Sequence, residues 1–224
     1  MKKGSAFIYP CAGSDVVGPI EHFGQQMETF VFVDIRYQFS RFEVRKPAGW
    51  HEDPDSVLIE GPLRSGISPV FLDGQRHYRH IKPAWRHSQY VHAATGRTID
   101  VVFRRGFGQY ALHEMPDESL GVFFHRGDSL GEGGSGVFFL ANRHKHHAPL
   151  SNLLDVIKRK VAYPALIVSD GSNTSIRALQ AAGHGDTSVQ VFFRHGLRWE
   201  RVRTLNRGSV VWRVELSPAD DPPP

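Results

Sequence analysis

The plainest hydrophobic pattern lies near the start of the chain. Ala6-Phe7-Ile8-Tyr9 is a short apolar run that predicts a strand, and it passes into Pro10-Cys11-Ala12-Gly13-Ser14-Asp15, a loop rich in turn formers. Val16, Val17, Ile20, Phe23 and Met27 then recur at helical spacing, with Asp15 placed to cap the helix and Pro19 suited to its first turn. Phe30-Val31-Phe32-Val33 is apolar without a break, as a strand buried on both faces should be, and it ends at Asp34. The opening segment therefore predicts β–loop–α–β with an acid at the tip of the second strand.

The middle of the chain is less periodic. Val57-Leu58-Ile59 and Val70-Phe71-Leu72 suggest a pair of short strands. Ile99, Val101 and Phe103 alternate onto one face, and Ala94-Thr95-Gly96-Arg97 offers a turn back to Tyr90-Val91-His92. A short helix is expected over 109–115, followed by a buried strand, Gly121-Val122-Phe123-Phe124. That strand opens into a glycine-rich stretch ending Gly131-Glu132-Gly133-Gly134-Ser135-Gly136. Leu150, Leu153, Leu154, Ile157 and Val161 mark an amphipathic helix, and Ala165-Leu166-Ile167-Val168 a further strand. A helix over 174–182 and three strands, 189–193, 199–202 and 210–216, complete the pattern. Strand and helix alternate at both ends, which predicts a mostly parallel sheet with helices on its faces.

Composition narrows the class. The 224 residues are 40% apolar and 22% charged, which excludes wholesale disorder. No apolar run approaches the ~20 residues of a membrane helix, so no membrane partner is expected. The apolar stretch after Lys2 and Lys3 is too short for a signal peptide. A lone cysteine, Cys11, rules out an intramolecular disulfide and suggests a reducing, cytoplasmic setting. The net charge of +4 does not by itself identify a nucleic-acid binder. Arg79, Trp85 and Arg86, however, belong to a segment that interleaves basic and aromatic side chains, as contacts to single-stranded nucleic acid require. A solvated hairpin face is the competing reading of that segment.

The order of elements resembles the class I S-adenosylmethionine-dependent methyltransferases: a first strand with a glycine turn, an acid ending the second strand, and a C-terminal β-hairpin. The resemblance implies one Rossmann-like three-layer α/β domain over 1–216, with a β-rich hairpin insertion at about 40–105 and a disordered Pro-rich tail at 217–224. It further implies that Gly13, Ser14 and Asp15 lie beneath the cofactor, S-adenosylmethionine, and that Asp34 holds its ribose hydroxyls. A carboxylate accepts from both hydroxyls, which suits that role. The loop has one glycine where the family usually has three, and no Asp/Asn-Pro-Pro-Tyr motif follows the fourth strand.

Sheets of this kind bind ligands beyond the carboxyl ends of their strands. The polar residues there are the candidate site for a small-molecule substrate. Asp128 or Glu132 is the candidate general base, and His125, Ser129 and Asp170 are candidate substrate contacts. His144, His146 and His147 are too crowded on one loop to predict a tetrahedral metal site, and none is expected. Two other readings stay open. One is a nucleotide- or phosphate-binding enzyme using the 131–136 loop; the other is a non-catalytic domain that binds nucleic acid or protein.

Overall fold

The computed structural model describes residues 2–64, 68–72, 75–79, 81–125, 153–169, 197–205 and 210–216. In chain order the elements are β1 (Ala6–Pro10), α1 (Val17–Phe23), β2 (Thr29–Asp34) and a 3-10 turn (Phe39–Arg41). Next come β3 (Trp50–Glu60), β4 (Ser68–Leu72), β5 (Gln75–Arg79), β6 (Ala84–His92), β7 (Thr98–Arg105) and α2 (Gly108–Glu114). The chain then forms β8 (Leu120–His125), α3 (Leu153–Lys160), β9 (Val161–Ser169), β10 (Leu197–Thr204) and β11 (Val210–Leu216).

Nine of the strands form one sheet in the order β10-β11-β9-β8-β1-β2-β7-β6-β3, and β4 and β5 pair separately. The five neighbours β9, β8, β1, β2 and β7 run parallel. Antiparallel pairs extend the sheet on both sides, β6 and β3 beyond β7 and β11 and β10 beyond β9.

This architecture corrects the expected fold class. Four of the eight pairings are parallel and four antiparallel, so the sheet is mixed rather than mostly parallel. The described residues hold only three α-helices, of seven, seven and eight residues. Nine strands spaced about 4.8 Å apart span roughly 40 Å. A helix covers only about 10 Å of that width, so these three build no helical layer on either side. The molecule is predominantly β, not a Rossmann-like three-layer α/β sandwich.

Both faces of the sheet are nonetheless apolar. On one face Phe7, Tyr9, Phe30, Phe32 and Phe103 pack with Ile20 and Phe23 of α1 and with Tyr37 and Phe39. On the other, Ile8, Val31, Val33 and Phe123 pack with Leu112 of α2 and with Val156 and Ile157 of α3. The alternation of odd and even residues in β1 and β2 between these clusters is why both strands read as unbroken apolar runs. Gly121 marks a bulge where β8 shifts register against both β1 and β9. A Cβ at Gly121 would come within 2.2 Å of the Gly4 carbonyl oxygen, so the strand passes there only as glycine.

Candidate functional site

The carboxyl ends of β1, β2 and β7 lie side by side, with Pro10 opposite Val33 and Asp34 opposite Arg105. Chain segments leaving these three ends build the candidate site.

The loop after β1 is fixed by its own backbone. Ala12 N–H donates to the Val33 carbonyl at 3.0 Å, and Asp15 N–H to the Ala12 carbonyl at 2.9 Å. Two successive turns need left-handed backbone, at Cys11 (φ 58°) and Gly13 (φ 55°). Glycine adopts this freely, whereas a cysteine there stores about 1–2 kcal/mol of strain. The Tyr9 hydroxyl donates to Asp15 Oδ2 at 3.1 Å, while the Tyr9 ring stacks on Phe124 with centroids 4.0 Å apart. Asp15 is thus tied to β1 and does not cap α1, whose N-cap is Val16 without a side-chain cap.

Asp34 joins the two strand ends. Its Oδ2 accepts from Gly13 N–H at 3.0 Å and its Oδ1 from Arg36 N–H at 2.7 Å. Gly13 and Asp34, named separately in the sequence, are thus joined by a direct hydrogen bond. Ser14 is exposed beside them.

Three further residues complete the arrangement: Tyr37 and Arg105, which the hydrophobic pattern does not flag, and Tyr9, which ends the first apolar run. Tyr37 is 6% exposed, and its ring meets Phe42 and Phe103 edge-on at 5.5 and 5.7 Å. Its buried hydroxyl has no hydrogen-bond partner among the described residues. Burial pushes its pKa well above 10, and the nearby Asp34, Tyr9, Cys11 and Asp15 push it further the same way. The Tyr37 backbone carbonyl is held by Arg105, which is fully buried. The Arg105 guanidinium donates to the carbonyls of Lys82 (2.7 Å), Tyr37 (3.1 Å), Leu63 (3.3 Å) and Pro62, and lies over the Phe39 ring. Burial pulls its pKa below the usual arginine value. The third residue, Tyr9, couples the loop to the core as described above. A charged pair, Arg104-Arg105, closing an alternating strand level with Asp34 is the sequence signal that marks this region.

The remaining expected residues fall elsewhere. Asp128, Ser129, Glu132 and Asp170, the 131–136 glycine loop and His144, His146 and His147 lie outside the described residues. His125 closes β8, and only its backbone is described. Among the described residues no group of three or more His, Cys, Asp or Glu side chains could hold a metal ion. No helix among them is long and apolar enough to cross a membrane.

Two residues of the basic-aromatic segment, Arg86 and Trp85, make their contacts within the sheet. Arg86, 9% exposed, makes a two-pronged pair with Glu52 at 2.6 and 3.0 Å and a further bond to Ser88. Hydrogen bonds from Arg86 and Ser88 hold the Glu52 carboxyl below its usual range although burial alone would raise it. Trp85 is half-buried with the Arg104 guanidinium 5.4 Å above its ring. The side chain of Arg79 lies outside the described set.

Compared with protein-family models, curated proteins and solved structures, the chain has no significant match. The helix-poor, mixed nine-stranded sheet also differs from the helix-rich layout of class I methyltransferases, and together these findings overturn the expected membership of that family.

Proposed function

We propose that this chain binds a small polar molecule at the carboxyl edge of its parallel strands, over the 11–15 loop, Asp34 and Tyr37. The observation that carries the reading is the Tyr37 hydroxyl, buried and without a partner among the described residues. An unpaired buried hydroxyl costs about 1–3 kcal/mol, a penalty that a bound ligand removes by supplying the missing hydrogen bond. Strained backbone at Cys11 beside it supports the same location, since such strain gathers at ligand sites. A nucleoside is the ligand class that suits the edge best. Asp34 sits at the end of β2, where a carboxylate can accept from vicinal ribose hydroxyls while the backbone N–H groups of Gly13 and Arg36 keep it oriented. S-adenosylmethionine is one such ligand.

Calorimetric titration with adenosine, S-adenosylmethionine and S-adenosylhomocysteine tests the reading. Micromolar binding is expected for at least one of them, and Asp34→Ala should abolish it. Asp34→Asn, which keeps one acceptor oxygen, should retain the fold and weaken binding. Absence of heat from all three ligands with folded protein would overturn the nucleoside assignment.

A further inference from the structure

We infer that Arg105 is a positioning residue of the site: it fixes the backbone at Tyr37 and so holds the Tyr37 hydroxyl where a ligand, and not the chain, supplies its partner. This deepens the binding reading above and rests on it for the use made of that hydroxyl.

Arg105 is 0% exposed, and its hydrogen-bond partners among the described residues are four backbone carbonyls and no carboxylate. Burying a charge is costly, and an apolar side chain of similar volume often holds a core as well. What arginine adds is geometry, since its planar fork offers five donors in fixed directions. Here the fork gathers three segments at the carboxyl end of β7. Tyr37 comes from the chain after β2, Pro62 and Leu63 from the chain after β3, and Lys82 from the chain before β6. The segment bearing Tyr37 is also pinned on either side. Before it, Arg36 N–H donates to Asp34 Oδ1 at 2.7 Å. After it, Phe39 N–H donates to the Leu63 carbonyl at 3.0 Å, and the Phe39 ring lies against the Arg105 guanidinium. The Tyr37 ring leaves its hydroxyl no more freedom. A phenol oxygen lies on the axis of the ring flip, so flipping does not move it, and Phe42 and Phe103 stand edge-on against the ring. Only a shift of the backbone could carry the hydroxyl to a partner, and Arg105 opposes that shift through the Tyr37 carbonyl.

A double-mutant cycle tests this without any ligand. Arg105→Lys keeps the charge but offers its donors from a single nitrogen, which cannot serve carbonyls on three segments. Once the segment relaxes, the Tyr37 hydroxyl reaches a partner. Tyr37→Phe should then lower the urea midpoint in the Arg105→Lys background, while leaving it unchanged or raising it in the unmodified sequence. An arginine that merely supports the fold would lower both midpoints alike, so equal effects of Tyr37→Phe in the two backgrounds would overturn the inference. If Arg105→Lys does not fold, Phe39→Leu loosens the same clamp more gently. It should move the effect of Tyr37→Phe in the same direction by a smaller amount, and no movement would overturn the inference equally. Calorimetric titration with adenosine, S-adenosylmethionine and S-adenosylhomocysteine separates this inference from the reading beneath it. If one of them binds, Arg105→Lys should weaken it about tenfold while the hydroxyl is present and add little to the loss caused by Tyr37→Phe. Equal further losses in both backgrounds would count against a positioning role. Coupling in urea with no nucleoside binding would sink the nucleoside assignment and leave the role of Arg105 standing.

Discussion

The centre and the β3–β6–β7 flank of the same sheet are made on different terms. In β1 and β2 nearly every side chain is apolar and buried, and Phe7 alone meets the rings of Phe23, Phe30, Phe32 and Phe124 at 5.1–6.3 Å. In β6 the buried positions are Ala84, Arg86, Ser88 and Tyr90, so half of the inward side chains are polar. Their cost is offset because Arg86 finds Glu52 and Ser88, and because its guanidinium also lies over Phe42. The outermost strand, β3, carries Pro54, several acids and a bulge between Asp53 and Leu58. Such features blunt a sheet edge against pairing with other chains. Apolar burial therefore holds the centre, and directed polar contacts register the flank upon it.

The largest expected effect lies in the centre. Phe7→Ala removes a fully buried ring and should cost about 3–5 kcal/mol. Leu58→Ala on the edge, where the leucine is 55% exposed, should change stability by no more than about 0.5 kcal/mol. Urea unfolding midpoints of the two variants check the contrast. Similar losses at both positions would mean that the edge strand is as deeply supported as the centre.

That division also explains what could be read in the sequence. The runs Phe7 to Tyr9, Phe30 to Val33 and Val122 to Phe124 announced β1, β2 and β8 because strands buried on both faces leave no polar position inside them. The turn at 94–97 likewise marked the β6–β7 hairpin, in which Val91 faces Thr98. By contrast β3 pairs with β6, not with the Val70-Phe71-Leu72 strand. Pro54 and inward Arg86 and Ser88 hid both partners from a search for alternating hydrophobicity. Direction of pairing was hidden as well, because an apolar run looks the same in parallel and antiparallel neighbours. The candidate site divides similarly. Asp34 stood out as the acid ending an apolar run and Gly13 as the glycine of a turn-rich loop, whereas Tyr37 resembled ordinary core and Arg105 an ordinary surface charge. Their importance comes from contacts distant in sequence, such as Arg105 with Tyr37 and with Pro62.

A second, smaller effect should come from the flank and should depend on pH. The Glu52 carboxyl titrates below its usual 4.5 in the folded protein, through hydrogen bonds from Arg86 and Ser88 that outweigh burial. A folded value below the unfolded one means the stabilisation is complete above the unfolded value and is lost as pH falls through the folded value. Glu52→Gln should cost about 1–2 kcal/mol near neutral pH, because Arg86 loses its charged partner. As pH falls below 4.5 and on through the lowered folded value, the stability of the two forms should converge. Thermal unfolding between pH 7 and pH 3 reads both features, and a gap that persists at the acid end would mean that Glu52 stabilises the flank by its shape rather than its charge.

The smallest effect concerns the site, and its sign carries the information. Tyr37→Phe keeps the ring against Phe42 and Phe103 and removes only the hydroxyl that lacks a partner among the described residues. Deleting a hydrogen-bonded hydroxyl from a core destabilises, whereas deleting an unsatisfied one is neutral or stabilising by about 1 kcal/mol. Unliganded Tyr37→Phe should therefore unfold at the same urea concentration as the unmodified sequence or at a higher one. Its affinity for whichever nucleoside binds should meanwhile fall by about tenfold, the worth of one buried hydrogen bond. A stability gain together with an affinity loss is the pattern of a group kept for a ligand at the expense of the fold. A clear loss of stability would instead mean that the hydroxyl already has a partner within the chain. Tyr37 would then belong with Arg86, as one more inward polar group satisfied by its own sheet.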